Sequence, residues 1–271
     1  VYMKNIKKSL KFILLSLIML LPKSALASSF DKIDIDVNID KNGIASVDEQ
    51  WKIDERDSDF TERYKKIENL RGLKIDDFSV SMDGKDFSDK NPWDVDASFD
   101  QKAYKYGRID DGDGVELCWG VSEHSQNNTY ILNYKIDPII IGLNDSDMLF
   151  FTFVGDQLDP KPENINIKIN SYDKVNNDVK KWGFGFEGDI NNENGSIIAK
   201  SNGDINNANI LLKFPKNTFA TSYKEDKSFA DYANTAVKGS DWENNEGNVE
   251  KESESTPISV SYTHLTLPTN R

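Results

Sequence analysis

The sequence predicts an all-β fold, an antiparallel β-sandwich of Ig-like or related type closed by a short C-terminal helix. Three observations predict it. From Phe30, apolar residues alternate through Ile33, Ile35, Val37 and Ile39 with Asp34, Asp36 and Asn38 between them, the period of a half-buried strand. Asp40-Lys41-Asn42-Gly43 then supplies the positive-φ residues of a tight hairpin turn, and the alternation resumes at Ile44 and runs through Val47, Glu49, Trp51 and Ile53. Further on, short alternating segments recur between Gly, Asn and Asp turns, as a two-sheet sandwich requires.

The same period places strands near Ile75 to Met82, Gly114 to Val121, Thr129 to Ile136, Met148 to Val154, Ile165 to Ile169, Lys181 to Phe186, Ser196 to Ala199 and Asn209 to Phe214. Between Asp54 and Gly72 the pattern changes, and Phe60, Tyr64 and Ile67 have the spacing of one face of a short helix or turn. After Phe214-Pro215, the residues Phe229, Tyr232, Ala233, Ala236 and Val237 recur at helical spacing, with Gly239 placed to cap the helix.

The two ends of the chain differ in character from its middle. Lys4, Lys7, Lys8 and Lys11 precede an apolar run from Phe12 to Leu21, followed by Pro22 and the small-residue pattern Ala25-Leu26-Ala27. This is the plan of a secretory signal peptide, and the run is too short for the ~18–20 apolar residues of a membrane span. Cleavage is expected between Ala27 and Ser28. At the other end, Val260 to Thr269 resembles a translated sequencing adapter, read in frame, rather than natural protein. The expected organisation is therefore a leader over 1–27, a β-rich extracytoplasmic domain over 28–222, a short amphipathic helix within 223–239, an acidic disordered linker over 240–259 and an artefactual tail over 260–271.

Composition narrows the chemistry. The formal charge of -13 argues against an electrostatic partnership with nucleic acid or an anionic membrane surface, and the leader's lysines make the exported part more acidic still. A single cysteine, Cys118, leaves no intrachain disulfide, and two histidines, His124 and His264, cannot complete an all-protein Cys/His zinc cage. An 11% aromatic content is too high for a wholly disordered acidic chain and predicts a real core. Lysines far outnumber arginines, and Asn and Ile abound, as AT-rich bacterial codons produce.

No catalytic, cofactor-binding or metal-ligating set emerges from the residues. Asp110-Asp111-Gly112-Asp113-Gly114 with Glu116 has the oxygen-rich, turn-forming composition of a calcium loop, but the EF-hand register fails. With Gly114 as the invariant glycine, Ile109 falls at the first ligand and Gly120 at the bidentate one, so an Asp/Gly hairpin loop is the expected outcome. Asn144-Asp145-Ser146-Asp147 is read the same way. A glycosidase needs two facing carboxylates, and among 46 acids no pair can be singled out. Cys118, in an apolar strand beside Leu117 and Trp119, is expected as a buried structural thiol, and His124 as an exposed loop residue. Trp182, Phe184 and Phe186 alternate on one side of a strand, with Gly183 and Gly185 opposite, and are expected as core rather than as a sugar-stacking stripe.

The order of motifs resembles a known family, domain of unknown function (DUF) 2207, the extracytoplasmic N-terminal part of predicted bacterial membrane proteins. The matching segments are Asn42-Gly43 with Val47-Asp48-Glu49, Tyr106-Gly107-Arg108-Ile109, the strand from Asn128 to Ile136, Asp147-Met148-Leu149-Phe150, Trp182-Gly183-Phe184-Gly185, and Phe214-Pro215 with Phe219. The resemblance covers about Phe30 to Trp242 and implies an exported β-rich domain followed by membrane spans; it brings no catalytic residues. Export without a catalytic constellation points to a non-enzymatic interaction or sensing module on the outer side of a bacterial membrane. Its partner would be a protein or a cell-envelope ligand, and its anchor a C-terminal span missing from the chain. Competing readings are a secreted carbohydrate-active enzyme using Asp and Glu, and a calcium-dependent adhesion module built on the loop from Asp110 to Glu116.

Overall fold

The first hairpin forms as the alternation demands. Strand β1 (Phe30–Ile39) pairs antiparallel with β2 (Ala45–Ile53), with Val37 opposite Val47 and Ile33 opposite Trp51. Asp40 organises the turn by accepting the N–H groups of Asn42 at 2.8 Å and Ile44 at 3.0 Å. Gly43 is required twice over: its φ is +79°, and a Cβ there would lie 2.8 Å from the Cβ of Ile140. The structure, a computed structural model, describes residues 29–236 except 57, 113, 176 and 177. The leader with its Ala27–Ser28 junction, Gly239, the linker and the tail all lie outside the described residues.

The remaining elements, in chain order, are β3 (Glu62–Ile67), β4 (Lys74–Met82), β5 (Lys85–Asp86), β6 (Ser88–Asp89), α1 (Phe99–Lys102), β7 (Lys105–Asp110), β8 (Val115–Gly120) and β9 (Asn128–Asp137). They continue with β10 (Ile140–Gly142), β11 (Ser146–Val154), β12 (Pro162–Ser171), β13 (Lys180–Glu193), β14 (Ser196–Pro215) and α2 (Phe229–Ala236). One ten-stranded sheet runs β10-β11-β14-β12-β1-β2-β9-β4-β5, with β13 on the other side of β14. A four-stranded sheet, β3-β8-β7-β6, packs against it. The sandwich is thus mainly antiparallel, with a central parallel contact in which Ile33, Ile35 and Val37 of β1 meet Ile165, Ile167 and Ile169 of β12. Two residues, Trp51 of the large sheet and Trp119 of the small one, meet edge to face with ring centroids 5.1 Å apart.

Three local expectations change. The described residues between Asp54 and Gly72 form no helix: they contain β3, whose inward positions are Arg63, Lys65 and Ile67, while Tyr64 is 38% exposed. Charged residues at inward positions hide the strand from any hydrophobic pattern. The two segments expected at Ser196 to Ala199 and Asn209 to Phe214 are one 20-residue strand, β14, pairing first with β12 and then with β11. Finally, Trp182, Phe184 and Phe186 do not share a face. Gly185, at φ +90°, sits where the β13–β14 register shifts, so Trp182 and Phe184 pack under α2 and Phe186 joins the main core. All three are buried, as expected of core residues.

Candidate functional site

The interior between the two sheets carries acidic and basic side chains, each with a partner. Glu49, on β2, is fully buried, and both its oxygens are used. Oε2 accepts from Trp51 Nε1 at 2.8 Å; Oε1 accepts from the Tyr134 hydroxyl at 2.5 Å and lies 2.9 Å from Lys65 Nζ. Burial, and then the Glu49 charge, push the Tyr134 phenol well above its usual range. Lys65 also donates to the Phe153 carbonyl at 2.5 Å. Beside it, Arg63 grips Glu55 through a parallel fork, Nε to Oε1 at 2.9 Å and Nη2 to Oε2 at 2.8 Å. A third buried cation, Lys102, lies 2.7 Å from Glu62 and donates to the Val95 carbonyl. Lys65, through Glu49 and the Phe153 carbonyl, ties the small sheet to the large one, and each of these charged groups has a partner.

An open site lies at the edge of the same seam. Strand β10 is three residues long, so its pairing with β11 ends at Ile140 opposite Leu149, while β14 accompanies β11 to Val154. Before β10 the chain turns away, because Ile139 and Ile140 donate to the Gly43 carbonyl. Beside the uncovered stretch of β11 is a groove of about 420 Å³, a volume in the usual range of ligand sites. Phe150, Phe151, Ile141 and Phe184 form its floor; Leu70 and Leu73 line the opposite wall. Amides of Asn69, Gln157, Asn207 and Asn209 stand on the rim with Lys66, Glu68, Arg71 and Asp156.

The wall after β3 is a sharp turn, with φ of 55° at Asn69, 48° at Arg71 and 90° at Gly72. Left-handed backbone at a bulky residue is costly and concentrates where geometry matters. Lys66 pairs with Glu68 at 2.9 Å, a hydrogen bond that lifts its ammonium above the ordinary lysine range. Arg71 behaves differently from the other described arginines. Arg56, Arg63 and Arg108 each hold a carboxylate, whereas Arg71 has no hydrogen bond or ion pair among the described residues. Asn209 is already bonded to Thr152 and Asn207, so what the groove offers is apolar contact, the amides of Asn69 and Gln157, and a guanidinium with no carboxylate partner among the described residues. That is equipment for binding.

The residues singled out in the sequence go elsewhere. Asp110 is engaged by Arg108 at 2.5 Å, and Asp111 lies 3.7 Å from Lys66 in the turn between β7 and β8. Asp145 accepts the Phe229 N–H at 2.9 Å and Asp147 the Phe219 N–H at 2.8 Å, so both tie down the C-terminal segment. Cys118 is buried, and burial above all raises its thiol pKa. His124 is exposed, stacked on Phe99 with ring centroids 5.0 Å apart. Among the described residues no cluster of three or more His, Cys, Asp or Glu side chains could hold a metal ion. The groove itself left no signal in the sequence, because Ile141, Phe150 and Phe184 have the pattern of core.

Fold and groove define a two-sheet β domain with a recess at one sheet edge. The chain belongs to the family described as predicted membrane protein (DUF2207), N-terminal domain, whose profile matches residues 29–260. No curated protein matches it. Similar solved structures include an M1 zinc metallopeptidase from Deinococcus radiodurans, at 9% identity and a TM-score of 0.32. Leukotriene A4 hydrolase from Saccharomyces cerevisiae is similar at 10% identity and a TM-score of 0.42. Each match takes 69% of this chain but only 42% and 29% of those proteins, so the chain spans less than half of either. At such scores the likeness extends no activity to this chain.

Proposed function

We propose that the domain is a non-enzymatic interaction or sensing module, held on the extracytoplasmic side of a bacterial membrane protein, and that its partner binds in the groove beside β11. The observation that carries this reading is the groove's construction. A recess lined by apolar and amide side chains opens beside β11, where Phe150 is partly exposed while Ile141, Phe151 and Phe184 behind it are buried. The family's description as a membrane protein supports a tether outside residues 29–236, where no described helix is long and apolar enough to cross a bilayer. The leader pattern ending at Ala27 supports export.

A photo-reactive residue placed at Gln157, on the groove rim, should form a discrete adduct in the native host. The same residue at Lys52, on the polar outer face of β2, should form none. Equal labelling from both positions, or none from Gln157, would remove the groove reading. Mature protein from that host should begin at Ser28 by mass spectrometry; an intact leader would point to an N-terminal anchor instead.

A further inference from the structure

We infer that the groove takes an extended peptide segment of a partner protein, which adds as a strand to the open edge of β11 and presents a carboxylate to Arg71. This rests on the groove being the binding site and names what fills it. The first support is backbone direction. The Ser146 carbonyl accepts the Leu143 N–H at 2.8 Å on the β10 side. Backbone groups alternate sides along a strand, so those of Met148 and Phe150 point the same way. Met148 is matched by Ile141 of β10, but Phe150 lies past the end of β10 and has no strand beside it on that side.

The second support is that neighbouring edges are already closed. The outer side of β10 is taken by residues 221–225: the Gly142 N–H donates to the Tyr223 carbonyl, and Glu225 N–H donates to the Gly142 carbonyl. Past Phe150, the β11–β14 register shifts between Thr152 and Val154, which ends the regular strand. The free stretch is therefore short and recessed, which protects it from edge-to-edge aggregation while leaving room for a single segment. The third support is charge. In a chain of formal charge -13, an arginine without a carboxylate stands at the mouth of this stretch. Strand addition supplies main-chain bonds, the partly exposed Phe150 gives an apolar contact beside the added strand, and Arg71 selects an acid.

The test is a displayed library of short random peptides, panned against the intact chain and counter-selected on Phe150→Glu. Enriched peptides should alternate apolar residues and carry an acid. Arg71→Gln should weaken them about tenfold or more, as loss of a charged hydrogen bond does. Neutralising the acid, by amidating the C-terminus or changing Asp to Asn, should have the same effect and tells a terminal carboxylate from a side chain. Because peptides can be altered without touching the fold, N-methylation provides the deciding arm: methyl groups at alternate positions should abolish binding, and those between should not. No enrichment over Phe150→Glu, or no response to Arg71→Gln, overturns the inference. Binding indifferent to N-methylation overturns strand addition while sparing the groove as a ligand site. A concentration-dependent dimer abolished by Phe150→Glu would assign the edge to a second copy and overturn it too.

Discussion

At the β3–β2 seam, Arg63 and Lys65 are buried and meet Glu55 and Glu49, so β3 of the small sheet is tied to β2 of the large one and the segment after it. Lys102, equally buried, meets Glu62 on the small sheet's side. Only a few residues along the same strand and its following turn, Lys66 and Arg71 stand at the surface, one paired and one not, and the seam opens into the groove. The chemistry of the side chains is similar in both places; their burial is not. A buried ion pair adds little net stability over apolar packing, yet breaking it strands a charge in a poor solvent. An exposed pair costs almost nothing to lose. The closed seam is therefore brittle toward substitution, and the open one is free to vary its charges.

The largest effect should come from the closed seam. Glu49→Ala removes the carboxylate that faces Lys65 and leaves the Tyr134 hydroxyl and Trp51 Nε1 without their acceptor, and is expected to lower stability by about 3–5 kcal/mol in denaturant titration. Replacing Glu49 and Lys65 together by Met should recover only the part that comes from the stranded ammonium, because Tyr134, Trp51 Nε1 and the Phe153 carbonyl still lose their partners. A double variant no better than the single one would show that the pair itself is not what holds the sheets.

Phe229→Ala should act next and more locally. Phe229 is buried against Trp182, ring centroids 5.5 Å apart, with Lys213 Nζ 4.9 Å from its ring centroid. Removing such a ring from a closed core costs about 3–5 kcal/mol, but this helix has eight residues and can leave the sheet, which limits the global loss. Amide exchange should rise across 229–236 and stay slow in β1 and β2. Equal acceleration in both would mean that the helix is an integral part of the core.

Acid and alkali should reach that helix before the rest. Burial works against ionisation of Asp145 and Glu225, but the Phe229 N–H and Lys213 outweigh it at Asp145, as Lys227, Tyr232 and Tyr223 do at Glu225. Both carboxyls are thus held below their usual values. Asp231, bonded by the Ser228 N–H, is lowered as well. Depressed carboxyls contribute stability above the unfolded value of about 4 and lose it as pH falls through their folded values. Tyr232, pushed up to about 12 by burial and by its bond to Glu225, behaves oppositely. Its contribution is whole below the ordinary phenol value of about 10 and fades toward the raised one. Exchange protection of 229–236 should be greatest between about pH 5 and 9; a flat profile would refute the role given to these groups. Asp111→Asn, which loses only a 3.7 Å surface pair with Lys66, should shift stability by less than about 0.5 kcal/mol, and a larger thermal shift would place that loop in the closed seam.

Much of this architecture could be read from one chain. The first hairpin, the strand from Thr129 to Ile136 and the C-terminal helix follow from periodicity, because each puts its apolar residues on one face and a face must be buried somewhere. Glu49 already stood in the inward register of β2, and only its partners were unknown. Strand β3 shows why: Arg63 and Lys65 look like surface residues until Glu55 and Glu49 are brought to them. The bend at Gly185, which sends Trp182 and Phe186 to different cores, is likewise invisible to a period of two.

The sequence by itself determined the β class, the turn at Gly43, the burial of Cys118 and the exposure of His124, because these depend on neighbours a few positions away. The tertiary structure alone decided which charges are buried, where the sheet edge stays open and which arginine has no carboxylate. Those properties belong to pairs of residues far apart in the chain, such as Lys65 with Phe153, and an interaction between two residues has no signature in either one.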